Sequence, residues 1–389
     1  MSARITFTVL LTGGAALAYG QATSISVPAG VRLPNDSVAS HQLLRDLNGF
    51  LSLKDQPAAP YPYVAQPSVP ADAALVEEMQ LLEKSRKPLA NTLYSTQLLN
   101  VVFLDSTTYL LQLASSGLAD SAPVLRATIN LLAHRTAQGF TFASPLRANS
   151  QAWRSTKLGT CTFRYQTTLV RPAAKAYARQ VAIFDKKLGA QAWQTELFCC
   201  DNLPEALHLV GVAYKADYNG YAHNSLSART PQQLLVLYAE GPLAQFDPHD
   251  LWHQRLRNVL PANTINKPVD EGCAFLYGGS WGIGWPAILQ QFKAYALARP
   301  DHDWLATYAT FANFGPSAQR PLLVPYALNA LLVQHIERTR GFGAVRQLLS
   351  CGKYEKTNAQ YFQVLEQVAG ITKSNFNARV TQLIQASQP

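Results

Sequence analysis

The sequence predicts an α+β fold, and three observations carry that expectation. Residues 160–169, 193–199 and 234–238 are short, alternating or continuously apolar runs of strand length. Longer stretches between and after them place apolar residues at helical spacing, most clearly over 321–338. Asn219-Gly220 is a strong tight-turn signal and fits a hairpin just ahead of the third strand.

Residues 1–20 combine one positive charge at Arg4, a short apolar stretch and small residues at Ala18 and Gly20, as expected of a signal peptide cleaved after Gly20 or Ala22. A first helix is expected over 35–53, with Leu43, Leu44, Leu47 and Leu51 along one face. Residues 57–70 contain Pro60-Tyr61-Pro62-Tyr63-Val64 and read as an extended link. Helices over 73–84, 93–113 with breaks, and 121–134 would complete a mostly helical N-terminal region, 21–150. The strand at 160–169, a helix over 173–188, the strand at 193–199, a helical stretch over 205–210 and the strand at 234–238 suggest a lobe over 151–285 built on a small mixed sheet. Helices over 287–298, 321–338, 342–349, 358–368 and 375–386 would form a helical C-terminal lobe, 286–389.

A chain of 389 residues with 48% hydrophobic content is long enough for two or three packed domains. Its formal net charge is +9, but Lys and Arg never run longer than two and no basic-aromatic ladder occurs, so a nucleic-acid groove is not expected. After the leader no run is apolar for eighteen residues, so no transmembrane segment is expected and the protein should be secreted or periplasmic. Oligomeric state is not legible. The five cysteines contain no C-x-x-C, which argues against a thiolate zinc site or a redox motif. Buried thiols, or one disulfide from Cys161 to Cys199 or Cys200, remain as alternatives.

The chemistry concentrates in His249-Asp250-Leu251-Trp252-His253 and in Val269-Asp270-Glu271-Gly272-Cys273-Ala274. Asp247 suits a helix N-cap and Pro248 the first helical position, so His249 and His253 fall one turn apart on one helix face, where both imidazoles can reach one ion. Glu271, on the first turn of a second helix, can supply a third ligand. The plainer alternatives are packed histidines and a carboxylate complementing the helix dipole, a role Asp270 could fill in place of Glu271.

This order resembles the gluzincins, zinc metallopeptidases with an H-E-x-x-H helix and a downstream Glu ligand, and within them the peptidase-MA-like group. The resemblance extends over roughly 195–384. It includes Glu271-Gly272-Cys273-Ala274-Phe275-Leu276-Tyr277, Gly341-Phe342-Gly343 followed by an apolar stretch over 345–349, and Val368-Ala369-Gly370-Ile371-Thr372. It implies a zincin-like lobe, Zn2+ on His249, His253 and Glu271, and a peptide or protein substrate. Asp250 then stands where the family has its general base. Aspartate is one methylene shorter, which withdraws the carboxylate by on the order of 1.5 Å and can cost about a hundredfold in rate. The resemblance also implies an oxyanion donor, with Tyr277, Tyr308, Tyr326 and His335 as unranked candidates. His223-Asn224-Ser225 is either a polar loop or part of an edge strand that pairs with substrate. Trp281 and Trp285, within the glycine-rich stretch 278–286, are either a packed turn or an apolar cleft wall. Two functions follow: an exported zinc metallopeptidase-like protein that hydrolyses peptide bonds, or a catalytically inactive relative that binds peptides or envelope components.

Overall fold

A computed structural model of the protein describes residues 25–52, 63–64, 70–84, 95–119, 122–191, 193–216, 225–230, 233–300 and 302–388. The leader, the Asn219-Gly220 turn, His223, Asn224 and most of 57–70 lie outside the described residues. The chain divides into two compact units, one of residues 1–67, 75–145 and 211–216, the other of 68–74, 146–210 and 217–389. Helices and two separate sheets make the fold α+β.

The first unit contains helix α1 (Ser37–Ser52), most of α2 (Pro70–Lys84) and a five-stranded antiparallel sheet. That sheet runs β1 (Ser95–Phe103), β2 (Thr108–Ala119), β3 (Ala122–Thr136) and β4 (Gly139–Ala143), with β8 (Val212–Lys215) also paired to β3. The helices expected over 93–113 and 121–134 are therefore strands. Alternate residues face the core, with Tyr109, Leu111 and Leu113 buried on β2 and Ala127, Ile129, Leu131 and Ala133 on β3. Leu and Ala also suit a helix, and cross-strand pairing overrides that weak local preference. Asp105 closes the β1–β2 hairpin by accepting from the backbone N–H groups of Thr107 at 2.8 Å and Thr108 at 2.9 Å. Helix α1, where the leucine face predicts it, lays Leu43, Leu47 and Phe50 into this unit's core, with the Phe50 and Phe142 rings 5.2 Å apart.

The second unit carries a mixed sheet in the order β5 (Arg154–Leu158), β6 (Cys161–Tyr165), β7 (Gln194–Cys199), β10 (Gln233–Tyr238) and β9 (Ser225–Thr230). β6, β7 and β10 are parallel, and the two outer strands run antiparallel to their neighbours. Helix α4 (Arg171–Leu188) makes the crossover from β6 to β7. Short helices α3 (Leu146–Asn149) and α5 (Leu203–Val210) precede α6 (Pro248–Val259) and α7 (Lys267–Gly278). The remaining helices are α8 (Trp285–Leu297), α9 (Trp304–Thr310), α10 (Val324–Arg340), α11 (Phe342–Leu349), α12 (Ala359–Ala369) and α13 (Phe376–Ala386). One hydrophobic core is continuous from Cys161 to Ile384. At its centre α7 packs closely on α10, because Gly272 leaves room: a Cβ there would lie 2.6 Å from Asn329 Cβ and 2.8 Å from the Ala330 nitrogen. Asn329 is fully buried and satisfied, donating to Tyr308 Oη at 3.1 Å and Pro325 O at 2.8 Å and accepting from Tyr361 Oη at 2.9 Å.

All five cysteines are free thiols. Cys161 pairs with Thr195, while Cys199 pairs with Tyr165 four residues along the same two strands. That offset, about 13 Å, is beyond the roughly 7 Å limit for a disulfide, and Cys200 is one residue further still. The disulfide alternative is thereby excluded. No helix among the described residues is long and apolar enough to cross a membrane.

The site helix α6 is fastened to this scaffold by a buried ion pair. Arg255, 1% exposed, donates from Nε and Nη2 to the two carboxylate oxygens of Asp185 on α4 at 2.7 and 2.6 Å, and from Nη1 to Thr195 Oγ1 on β7 at 2.9 Å. Removing one partner of such a pair strands a charge in a low-dielectric core. Arg255→Leu should therefore destabilise the protein by about 3–5 kcal/mol in urea titration, and the Asp185→Leu/Arg255→Leu double variant should recover most of that loss. A loss below about 1 kcal/mol would show that the pair does not anchor α6.

Candidate metal centre

The N-terminus of α6 is set by its own sequence. Asp247 is extended and its carboxylate accepts from the His249 backbone N–H at 2.8 Å, while Pro248 occupies the first turn, where no N–H is needed. His249 and His253 then project one turn apart, and their Nε2 atoms lie 3.1 Å from each other. Glu271, on the first turns of α7, brings Oε2 to 3.4 Å from His249 Nε2 and 3.8 Å from His253 Nε2. The three ligand atoms expected from the sequence thus form one compact triangle.

The orientation of both rings is fixed from behind. His249 Nδ1 lies 2.7 Å from the Gly279 carbonyl oxygen and His253 Nδ1 lies 2.9 Å from Asp270 Oδ1. Both partners accept, so each Nδ1 must carry the proton, and in the neutral rings both Nε2 atoms present bare lone pairs to each other and to the Glu271 carboxylate. Three electron-rich atoms at these separations repel one another unless a cation or a proton sits among them. A tetrahedral zinc site with ligand bonds of 2.0–2.1 Å has ligand–ligand edges of about 3.3 Å, close to the three edges found here. Backing of histidine ligands by a carbonyl and a carboxylate is also the usual support of a zinc site.

Two features of that backing were not assigned from sequence. Asp270 is buried and accepts from both His253 Nδ1 and Trp252 Nε1, the latter at 3.1 Å, so it supports a ligand where the sequence offers only a dipole role. Gly278 lets the end of α7 meet the start of α6: a Cβ would lie 2.6 Å from the His249 nitrogen and the Pro248 carbonyl carbon. That approach brings the next carbonyl, of Gly279, to His249. A glycine pair at a helix end, six residues beyond another glycine, is the only sequence trace of it.

The other candidates separate clearly. Asp250 is exposed on α6 and lines, with His253, a pocket of about 440 Å³. Edge strand β9 and its neighbour β10 contribute Ser227, Val236 and Tyr238 to the same pocket. Tyr326 packs its ring on Phe275 at 5.7 Å; burial, and then the charges of Glu271 and Asp270, raise its hydroxyl pKa. Tyr277 is instead committed elsewhere, donating to Glu337 Oε2 at 2.7 Å under Lys187. Tyr308 belongs to the Asn329 network, and the charged neighbours of His335 are Arg338 and Arg379. Trp285 is buried in the core, and Trp281 is half exposed, donating to Pro321 O at 3.0 Å. Neither tryptophan lines the pocket beside Asp250.

No protein-family model matches the chain, and a search of curated proteins returned no match. The local geometry therefore carries the functional argument.

The electrostatics make the metal-free site pH-sensitive. Burial disfavours charge on His249, but the hydrogen bonds to Glu271 and Gly279 and the charges of Glu271 and Asp247 outweigh it and raise its pKa above the ordinary 6.5. Burial also works against charge on Glu271, yet the hydrogen bond from His249 and the charges of His253, His249 and Lys267 hold its pKa below the ordinary 4.5. His249 thus adds stability that is complete below pH 6.5 and lost as pH rises through its folded value. Glu271 adds stability that is present above pH 4.5 and lost as pH falls through its own folded value. The metal-free protein should be helped most between those limits, and a zinc ion, which competes with the His249 proton, should raise the melting temperature increasingly as pH climbs above 6.5. Thermal unfolding from pH 5 to 8.5, with and without zinc, checks this; a zinc effect that is flat in pH would contradict it.

Proposed function

We propose that the protein is an exported zinc metallopeptidase-like hydrolase of peptide bonds, related to the gluzincins. The single observation that supports this best is the convergence of His249 Nε2, His253 Nε2 and Glu271 Oε2, with both Nδ1 atoms engaged from behind. The backing fixes ring tautomers and orientation, which a mere surface cluster has no need of. Zinc held there would polarise a peptide carbonyl and acidify a water molecule.

The remaining roles fall to the chain's own groups. Proton transfer from water is assigned to Asp250, a reading supported by its exposure in the pocket that His253 also lines. Strand β9 offers an outer sheet edge on which an extended peptide can pair by its backbone, and Ser227 brings that strand to the pocket. Tyr326, whose phenol feels Glu271, is the best of the four oxyanion-donor candidates. One observation favours a second reading, a binder that retains its metal and does not hydrolyse: the carboxylate after the first histidine is that of an aspartate, with a shorter reach than glutamate.

Metal content and turnover together test both. Wild type should hold one zinc per chain by mass spectrometry, and His249→Ala should lose it with little change in fold. Asp250→Glu should raise hydrolysis of a diverse peptide library by about tenfold or more, and Asp250→Ala should lower it, with zinc retained in both. Zinc-loaded Asp250→Glu without turnover would select the binder. Wild-type protein that cannot be loaded with zinc would remove both readings.

A further inference from the structure

We propose that the exposed face of helix α4 docks on an anionic lipid surface. The inference is independent of the metallopeptidase-like reading. Along the chain Lys and Arg form no run longer than two, but α4 gathers cations that the sequence keeps apart. Arg171, Lys175, Arg179 and Lys186 are all exposed. At about 100° per residue they fall within an arc of about 80°, as one stripe along almost the whole helix. The sole acid of α4, Asp185, is turned into the core and paired with Arg255. None of the four cations makes an ion pair among the described residues.

Such a stripe works against the helix that carries it. Arg171 and Lys175, and Lys175 and Arg179, are like-charged pairs four residues apart, which destabilise a helix. Arg171 also stands in the first turn, where the dipole disfavours a cation and no acid is present. An anionic surface laid on α4 relieves both costs. The neighbouring arc says what kind of anion fits. Pro172, Ala176 and Ile183 lie beside the stripe and are exposed, Ile183 by 44%. A phosphate from a lipid headgroup or from a nucleic acid would satisfy the cations. Only the lipid also offers Ile183 an apolar contact, and the face has no exposed aromatic ring on which a base could stack. Cations beside exposed apolar side chains on one helix suit the headgroup region of an anionic bilayer.

Co-sedimentation of the full chain with vesicles tests this. The vesicles are phosphatidylcholine alone or an equal mixture of phosphatidylcholine and phosphatidylglycerol. Wild type should bind the mixed vesicles and not the neutral ones, and the binding should weaken as salt rises. Lys175→Gln/Arg179→Gln should weaken it by about twentyfold, about fivefold for each cation. Its melting temperature should be unchanged or higher, because a repulsive pair has been removed. Ile183→Ser, at unchanged charge, should weaken binding severalfold. Lys353→Gln/Lys356→Gln removes the same charge from exposed positions between α11 and α12 and should bind as wild type does. Failure to bind the mixed vesicles would overturn the proposal, as would equal losses in the two double variants, which would make net charge and not α4 the cause. A single-stranded oligonucleotide bound more tightly than the vesicles, with Ile183→Ser without effect on either, would assign the stripe to nucleic acid and overturn it as well.

Discussion

One carboxylate, Asp270, ties the two site helices together. Its Oδ1 accepts from Trp252 Nε1 and His253 Nδ1 on α6 while its own backbone belongs to α7, so a single buried group fixes the spacing of the helices and the tautomer of a ligand. The neighbouring residue, Glu271, then necessarily enters the triangle from the other helix. The same logic operates at the far end of α7, where the close approach at Gly278 lets the Gly279 carbonyl hold His249. The result is a pair of imidazoles whose bare nitrogens face each other across 3.1 Å, an arrangement that is unfavourable without a positive charge between them.

The scaffold explains why that arrangement can be held. Arg255 sits on α6 two residues beyond His253 and locks the helix to α4 and β7 through Asp185 and Thr195. Gly272, one residue beyond Glu271, lets α7 press against α10. His253 and Glu271 are thus each closely followed by a residue that fixes its helix in the core. A site built on rigid helices in this way keeps its geometry before any ligand arrives.

Legibility in the sequence followed the range of the interactions. The convergence of His249 and His253 is legible because helix geometry is local: Asp247-Pro248 sets the start of α6, and a spacing of four sets the face. Asp270 could not be assigned, because its role depends on where another helix lies. Tyr277 is a candidate because the resemblance implies an oxyanion donor somewhere after Glu271, yet six residues along a helix turn through about 240° beyond a full turn, which carries it to the Lys187 and Glu337 side of α7. The strands of the first unit are hidden in the sequence for a different reason. Its leucines and alanines satisfy helical and strand patterns alike, and the alternation of Ala127, Ile129, Leu131 and Ala133 becomes decisive only once β2 lies alongside. The mixed sheet around β7 and β10, with shorter and more β-branched or aromatic runs, left less ambiguity.

The central claim is that His249, His253 and Glu271 hold one metal ion, and anomalous diffraction from crystals grown with zinc tests it most directly. The account predicts one strong peak above the zinc edge, within about 2.0–2.2 Å of His249 Nε2, His253 Nε2 and a Glu271 carboxylate oxygen, with Asp270 and the Gly279 carbonyl still on the two Nδ1 atoms. A zinc-soaked crystal without that peak, or with the two imidazoles rotated so that their Nε2 atoms no longer converge, would contradict it.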